Sequence, residues 1–252
     1  MKAIYSIPMI MAAIFMLAFS VSAHAGKMDS RIESSAKKSY AFKTYLHGDD
    51  VIVRSKGGAV TLTGTVSENF HKSLAQETVA AIHGVKRVDN RLEVDGAPPT
   101  PNSDAWVRDK LKVALSFHRS VSAATIEAEV NDGIVTLRGV AANRAQMESA
   151  AEYSKDLDGV KNVINAMTVS TTLQKKPRAV RKKIDDASIT AQVNMTLLNQ
   201  RSTGVLNTTV TTKRGVVTVS GTATSAAEIG LVTRLVTDIN GVTAVKNRMA
   251  VK

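Results

Sequence analysis

The chain has 252 residues with 33 Lys plus Arg against 22 Asp plus Glu, a formal net charge of +11, no cysteine and 4% aromatic residues. A hydrophobic share of 44% builds ordinary cores, which excludes both a disordered chain and a polytopic membrane protein. The missing cysteine removes disulfide frameworks, thiolate metal sites, thiol nucleophiles and a lipid attached through an N-terminal Cys.

Lys2 precedes an apolar run from Met9 to Phe19, and Ala23, His24 and Ala25 form an A-x-A ending before Gly26. This pattern predicts a cleaved secretory signal peptide over residues 1–25. The competing reading, an N-terminal anchor, asks eleven apolar residues to cross ~30 Å of hydrocarbon, for which the run is too short. Export argues against nucleic acid as a partner, and the sequence has no G-x-x-x-x-G-K-[ST] phosphate loop.

Beyond the leader the sequence repeats. Gly57 to Gly64, Asp132 to Gly139 and Arg214 to Gly221 are visibly one motif, and twenty residues after each comes a second landmark, Gly84-Val85, Gly159-Val160 and Gly241-Val242. Six residues past those glycines stand Asn90, Asn165 and Asn247, and Asp29, Asp104 and Asp186 precede the first landmark's last Gly by thirty-five residues each time. Four anchors in register define three repeats of about 66 residues, at 29–95, 103–170 and 185–252.

Each repeat opens with helical spacing: Ile32, Ala36 and Tyr40 in the first, Val107, Leu111 and Leu115 in the second, Ile189, Val193 and Leu197 in the third. Two alternating runs around a Gly-containing turn follow, such as Ile126 to Val130 and Ile134 to Leu137, and read as a hairpin. A second helix is announced by the capping box Ser225-Ala226-Ala227-Glu228. The closing strand puts Val88, Asn90, Leu92 and Val94 on one face and Arg87, Asp89, Arg91 and Glu93 on the other. Because a helix separates them, the second and third strands are expected to be parallel. The fold class is therefore α+β: three tandem α-β-β-α-β units, each two helices packed on one face of a three-stranded mixed sheet.

The glycines read as structural. Gly58, Gly133 and Gly215 fall in the hairpin turn, Gly64, Gly139 and Gly221 close the first landmark, and Gly84, Gly159 and Gly241 are expected as the residues that end the second helix. They are isolated, whereas a nucleotide loop needs clustered glycines opening a helix. The repeated Asn lies on the inward face, where a side-chain bond to nearby backbone accounts for it. No H-E-x-x-H, no G-x-S-x-G and no histidine pair at helical spacing occurs, so no catalytic residue, metal site or cofactor is assigned. Asp49-Asp50 reads as a turn and Asp185-Asp186 as helix N-terminal acids.

Two features stand out from this scaffold. The linker 171–183 holds Lys175, Lys176, Arg178, Arg181, Lys182 and Lys183 with no acid, whereas the linker Gly96 to Asn102 is Pro-rich and uncharged. Six cations suit an anionic lipid surface, at about 1 kcal/mol each; they also suit a solvated spacer. In the first helix of repeat two, Trp106, Val113 and Phe117 extend the apolar arc to about 200°, wider than one buried face needs. Lys110 lies among them and Arg119 follows. Two covers fit this arc: a neighbouring repeat, or a lipid interface with Lys110, Arg119 and the basic linker on headgroups.

Tandem units of this length, with a G-x-V-T-L-x-G hairpin and a G-V-x-x-V-x-N final strand behind a signal peptide, resemble the BON domain family. The arrangement is similar to that of osmotically inducible periplasmic proteins, although a third unit departs from the usual two. The resemblance implies a non-enzymatic periplasmic protein that attaches to phospholipid membranes and protects the envelope under stress. It also implies, as the alternative, a chaperone-like adaptor for unfolded outer-membrane proteins.

Overall fold

The computed structural model describes residues 26–97, 99–121, 126–170, 183–200 and 208–252. The expected signal peptide and Lys175, Lys176, Arg178, Arg181 and Lys182 of the basic linker lie outside the described residues. Repeat one runs α1 (residues 26–38), α2 (Tyr40–Thr44), β1 (Asp50–Lys56), β2 (Ala59–Val66), α3 (Asn69–Ala80) and β3 (Arg87–Val94). Repeat two runs α4 (Asp104–Phe117), β4 (Ile126–Asn131), β5 (Ile134–Ala141), α5 (Arg144–Lys155) and a last strand in two pieces, β6 (Asn162–Asn165) and β7 (Thr168–Val169). Repeat three runs α6 (Asp186–Asn199), β8 (Thr208–Lys213), β9 (Val216–Ala223), α7 (Ala226–Thr237) and β10 (Ala244–Val251).

In every repeat the first two strands pair antiparallel and the last pairs parallel with the middle one, as the intervening helix requires. Alternate residues of the middle strand, Val60 and Leu62, Val135 and Leu137, Val217 and Val219, are buried under the helices. The opposite faces of the three sheets stay open to solvent.

The repeated polar anchors tie these layers together. Asp29 accepts hydrogen bonds from the turn N–H groups of Gly57 and Gly58, at 2.8 and 3.0 Å. Asp104 does the same for Asp132 and Gly133, and Asp186 for Arg214 and Gly215. Each first helix is thereby pinned to its hairpin. Asn90, Asn165 and Asn247 donate to the carbonyls of Lys72, Met147 and Ile229 in the second helix, and accept from the N–H two residues further along their own strand. Ser225 caps α7 as expected, while Glu228 reaches back to the Thr224 N–H at 2.7 Å. Asn143 and Gln146 make the same reciprocal arrangement on α5.

Two local expectations differ from the structure. The glycines 84, 159 and 241 do not end the second helices, which stop at Ala80, Lys155 and Thr237. They sit in the turn that follows, where the first helix passes close: a Cβ on Gly159 would lie 2.7 Å from Val107, and φ is +82°. Close approach, together with positive φ, is what requires glycine there. The first helix of repeat one is not continuous either. Ser39 donates from its hydroxyl to the Ala36 carbonyl and accepts from the Phe42 N–H, stopping α1 and restarting the chain as α2. Tyr40 consequently leaves the core stripe and is half-buried, and Phe42 takes a place in the core.

The repeats meet through their helices. Repeats two and three share one continuous core, whereas most of repeat one's buried residues form a core of their own. His118, just after α4, pairs with Ile239 of repeat three, and Gln200, just after α6, pairs with Leu157 of repeat two. Those four residues are equivalent in pairs, so repeats two and three exchange the same contact in both directions, as the halves of a two-fold dimer do. Repeat one has no such exchange. It lays α3 against α6, with Asn194 donating to Glu77 at 2.7 Å.

Replacing Asn247 by Ala removes the donor that holds β10 to α7. Urea unfolding of Asn247→Ala is expected to show a loss of about 1–2 kcal/mol with an unchanged m-value.

Candidate functional site

The joint between repeats two and three gathers the one concentrated set of polar side chains that links different repeats around a single carboxylate among the described residues. Asp238, at the end of α7, accepts from the Ser120 hydroxyl, from the Tyr153 hydroxyl at 2.8 Å and from the Ser120 N–H. His118 Nδ1 lies 3.3 Å from the same carboxylate, and its fully buried ring stacks on Tyr153 at 3.8 Å. Arg119 completes the set at 3.7 Å, and its N–H donates to the Asp238 carbonyl. Burial opposes charge on Asp238, but bonds from His118, Ser120 and Tyr153 outweigh it and hold the carboxyl below its ordinary value. Burial first, then the bond to Asp238, pushes the Tyr153 hydroxyl well above its usual range.

Ser, His and Asp side by side invite comparison with a hydrolytic triad, and the order of contacts rules against it. The carboxylate stands between serine and histidine and binds both, so the imidazole is not placed to take the serine proton. Its role is to join two repeats. Nothing in the sequence signalled it, because the five residues are brought together only when the segment after α4, α5 and the end of α7 meet.

The apolar arc on α4 is divided by the packing. Phe117 is fully buried, edge-on to Tyr45 and tilted against Phe70 of repeat one, with ring centroids at 5.5 and 5.7 Å. Val113 and its counterpart Met195 on α6 are buried in the shared core. Neither Phe117 nor Val113 reaches the surface, so neither can enter a lipid interface in this arrangement. Their excess apolar character is used against neighbouring repeats. Trp106 stays half-buried, its edge close to Gly159 of its own repeat and Lys110 Nζ 3.9 Å above its ring. Lys110 is also paired with Asp158 at 3.0 Å and is mostly buried, so it does not project toward a headgroup. Arg119 is held by Asp238, and Lys183 is exposed.

A groove of about 810 Å³ opens where the repeats meet, lined by Tyr40, Arg119, Lys183, Asp185, Arg214 and Thr243 among others. Its acids are occupied by the fold: Asp185 accepts from Ser188 and from the Tyr40 N–H, and Asp186 from the hairpin turn. Among the described residues no three His, Asp or Glu groups converge as a metal site, and no helix is long and apolar enough to cross a membrane.

With the helices committed to one another, the open sheet faces are the surfaces left, and their chemistry differs. On repeat one Arg54, Lys56, Arg87 and Arg91 are interspersed with Asp89 and Glu93, and Arg91 pairs with Asp89 at 2.7 Å. Repeat two presents Glu127, Glu129, Arg138 paired with Glu129 at 3.5 Å, and the exposed Ile134 and Ile164. Repeat three presents three cross-strand rows: Thr209, Ser220 and Arg248; Thr211, Thr218 and Lys246; Lys213, Val216 and Ala244. That face carries no carboxylate on any of its strands, and Lys213, Lys246 and Arg248 have no ion-pair partner among the described residues. The candidate site is this hydroxyl-rich basic face, which the alternation of the strands makes visible in sequence once the inward side is known.

Three small α-β-β-α-β units, joined through helices with their sheets open to solvent, define a tandem-repeat α+β protein. The family model of the BON domain matches residues 28–96, 103–171 and 185–252, and the chain belongs to that family. It is 28% identical over 149 residues to the osmotically-inducible protein Y of Escherichia coli, covering 59% of this chain and 73% of that one. It is also 28% identical over 126 residues to an uncharacterized protein of Anaplasma centrale, covering 48% of this chain and 83% of that one. Among solved structures, CdsD, a structural protein of the type III secretion system of Chlamydia trachomatis, aligns over 87% of this chain and 91% of its own at 18% identity and a TM-score of 0.23.

The Asp238 carboxyl is held below its ordinary value, so its contribution to stability is complete above that value and disappears as the pH falls below about 4. Acid titration is expected to loosen the joint of repeats two and three, and Asp238→Asn to flatten that part of the stability profile. Asp109 shows the opposite sign: burial first, then the charge of Glu68 across the joint with repeat one, raises its carboxyl. Asp109→Asn is therefore expected to raise the melting temperature at pH 7 and to leave it unchanged at pH 3.

Proposed function

We propose that the protein is a non-enzymatic, periplasmic stress-protection protein that associates peripherally with anionic phospholipid membranes through its BON repeats. The relative in Escherichia coli supports the osmotic part of this reading by its name. The observation that carries the membrane part is the third sheet face, where Lys213, Lys246 and Arg248 stand among threonines and serine without a single acid. Unpaired cations gain about 1 kcal/mol each beside anionic lipid, and hydroxyls donate to phosphate oxygens. The basic linker that leads into repeat three, Lys175 to Lys183, adds to the same end of the chain. Contact of this kind is reversible and salt-dependent, because no apolar segment need enter the hydrocarbon.

A second reading, the chaperone-like adaptor for unfolded outer-membrane proteins, is favoured by a different surface. Ile134 and Ile164 stand 38% and 49% exposed on the open face of repeat two, a footing for apolar polypeptide.

Flotation with vesicles of phosphatidylglycerol and phosphatidylcholine separates the two. The triple variant Lys213→Gln, Lys246→Gln, Arg248→Gln is expected to lose on the order of a hundredfold in vesicle affinity. Trp106→Ala is expected to float like the unmodified protein. Equal flotation of the triple variant would overturn the assignment of the face. Suppression of client aggregation without lipid, lost in Ile134→Ser with Ile164→Ser, would support the adaptor instead.

A further inference from the structure

The two joints in the molecule are built differently. Repeats two and three share a core and exchange reciprocal backbone contacts. Most of repeat one's buried residues form a core of their own, and residues 95–102, a stretch with Pro98, Pro99 and Pro101, connect it to the rest of the chain. Its contact with the others combines apolar packing, with Ala41 and Leu74 buried in the shared core and α3 lying along α6, and polar bonds: the N–H groups of Tyr40 and Ala41 donate to Asp185 and Ser188, Asn194 donates to Glu77, and Lys112 pairs with Glu68. It also carries costs. The Thr78 hydroxyl on α3, one turn from the joint residue Leu74, is fully buried without a partner, and Asp109 lies close enough to Glu68 for the two like charges to oppose each other. Against these stands an aromatic latch in which Tyr45 and Phe70 of repeat one cover Phe117.

We propose that repeat one is a detachable cover, which swings away on its proline-containing tether as a folded unit and exposes the aromatic face of Phe117 on the joined repeats two and three. The break at Ser39 serves this arrangement. It turns the N–H groups of Tyr40 and Ala41 outward to α6, giving the closed state hydrogen bonds that water replaces when the cover leaves. The open form is the minor one, of the order of 0.1–10% of molecules. Phe70 is the residue to change, because it is half-buried and packs on the shared core of the other repeats rather than within repeat one's own. The proposal is independent of the lipid face of repeat three, and its test contains no lipid.

Hydrogen exchange of the full mature chain, followed by mass spectrometry, measures the opening. In Phe70→Ala the amides at the end of α4, residues 113–118, are expected to exchange on the order of tenfold faster, while those of β1 and β2 keep their protection. Asp109→Asn is expected to slow exchange at the same α4 amides. Unchanged exchange at 113–118 in Phe70→Ala would overturn the proposal. So would loss of protection in β1 and β2 together with α4, since that is unfolding of repeat one and not its departure.

Discussion

The packing of α4 and α6 into a shared core is the constraint on which the molecule depends. A unit of about 66 residues with two helices over three strands can fold by itself but buries only a modest share of its apolar surface. In repeat two the first helix is also apolar beyond the width of its own sheet, and that surplus has to be covered. Repeats two and three solve this by covering each other, with Val113 and Met195 in equivalent places and His118 and Gln200 closing equivalent backbone contacts. Repeat one carries Lys38 where the others have Val113 and Met195, and its helix breaks at Ser39. It cannot take part in the same exchange and attaches through α3 instead.

This use of the helices decides where function can lie. Phe117 and Val113 look adhesive in isolation, yet both are spent on holding repeats together, and Lys110 is bound to Asp158. What remains open are three sheet faces whose architecture is the same and whose chemistry is not: one mixed, one with an arginine between two glutamates and exposed isoleucines, one basic with hydroxyls. Triplication lets one scaffold carry different surfaces at a fixed spacing, since the inward residues keep the fold and the outward residues are free to vary. The anchors Asp29, Asp104 and Asp186, and the asparagines at 90, 165 and 247, serve only the first purpose.

Much of the unit was legible in sequence because its signals are local and appear three times. Period-two alternation located the strands, a helix of known length between them required a parallel pairing, and Asn247 was expected to bond backbone and does. Gly159 was misplaced because the reason for it is distant: Val107, far away along the chain, presses on that turn. The break at Ser39 was missed for another reason. Serine within a helical pattern is ambiguous until the groups that its freed N–H donors will meet are known, and here those belong to Asp185 and Ser188 of repeat three.

By itself the sequence determined the number of units, the order of elements within each, the inward and outward sides of every strand, and the membership that those motifs announce. Only the tertiary structure decided which repeat pairs with which, that the polar cluster at Asp238 is a joint, and that the surplus apolar arc of α4 is covered from within. The reason is physical. Periodicity reports which face of an element must leave water, but whether another repeat or an outside partner excludes that water depends on contacts between residues that no local pattern relates.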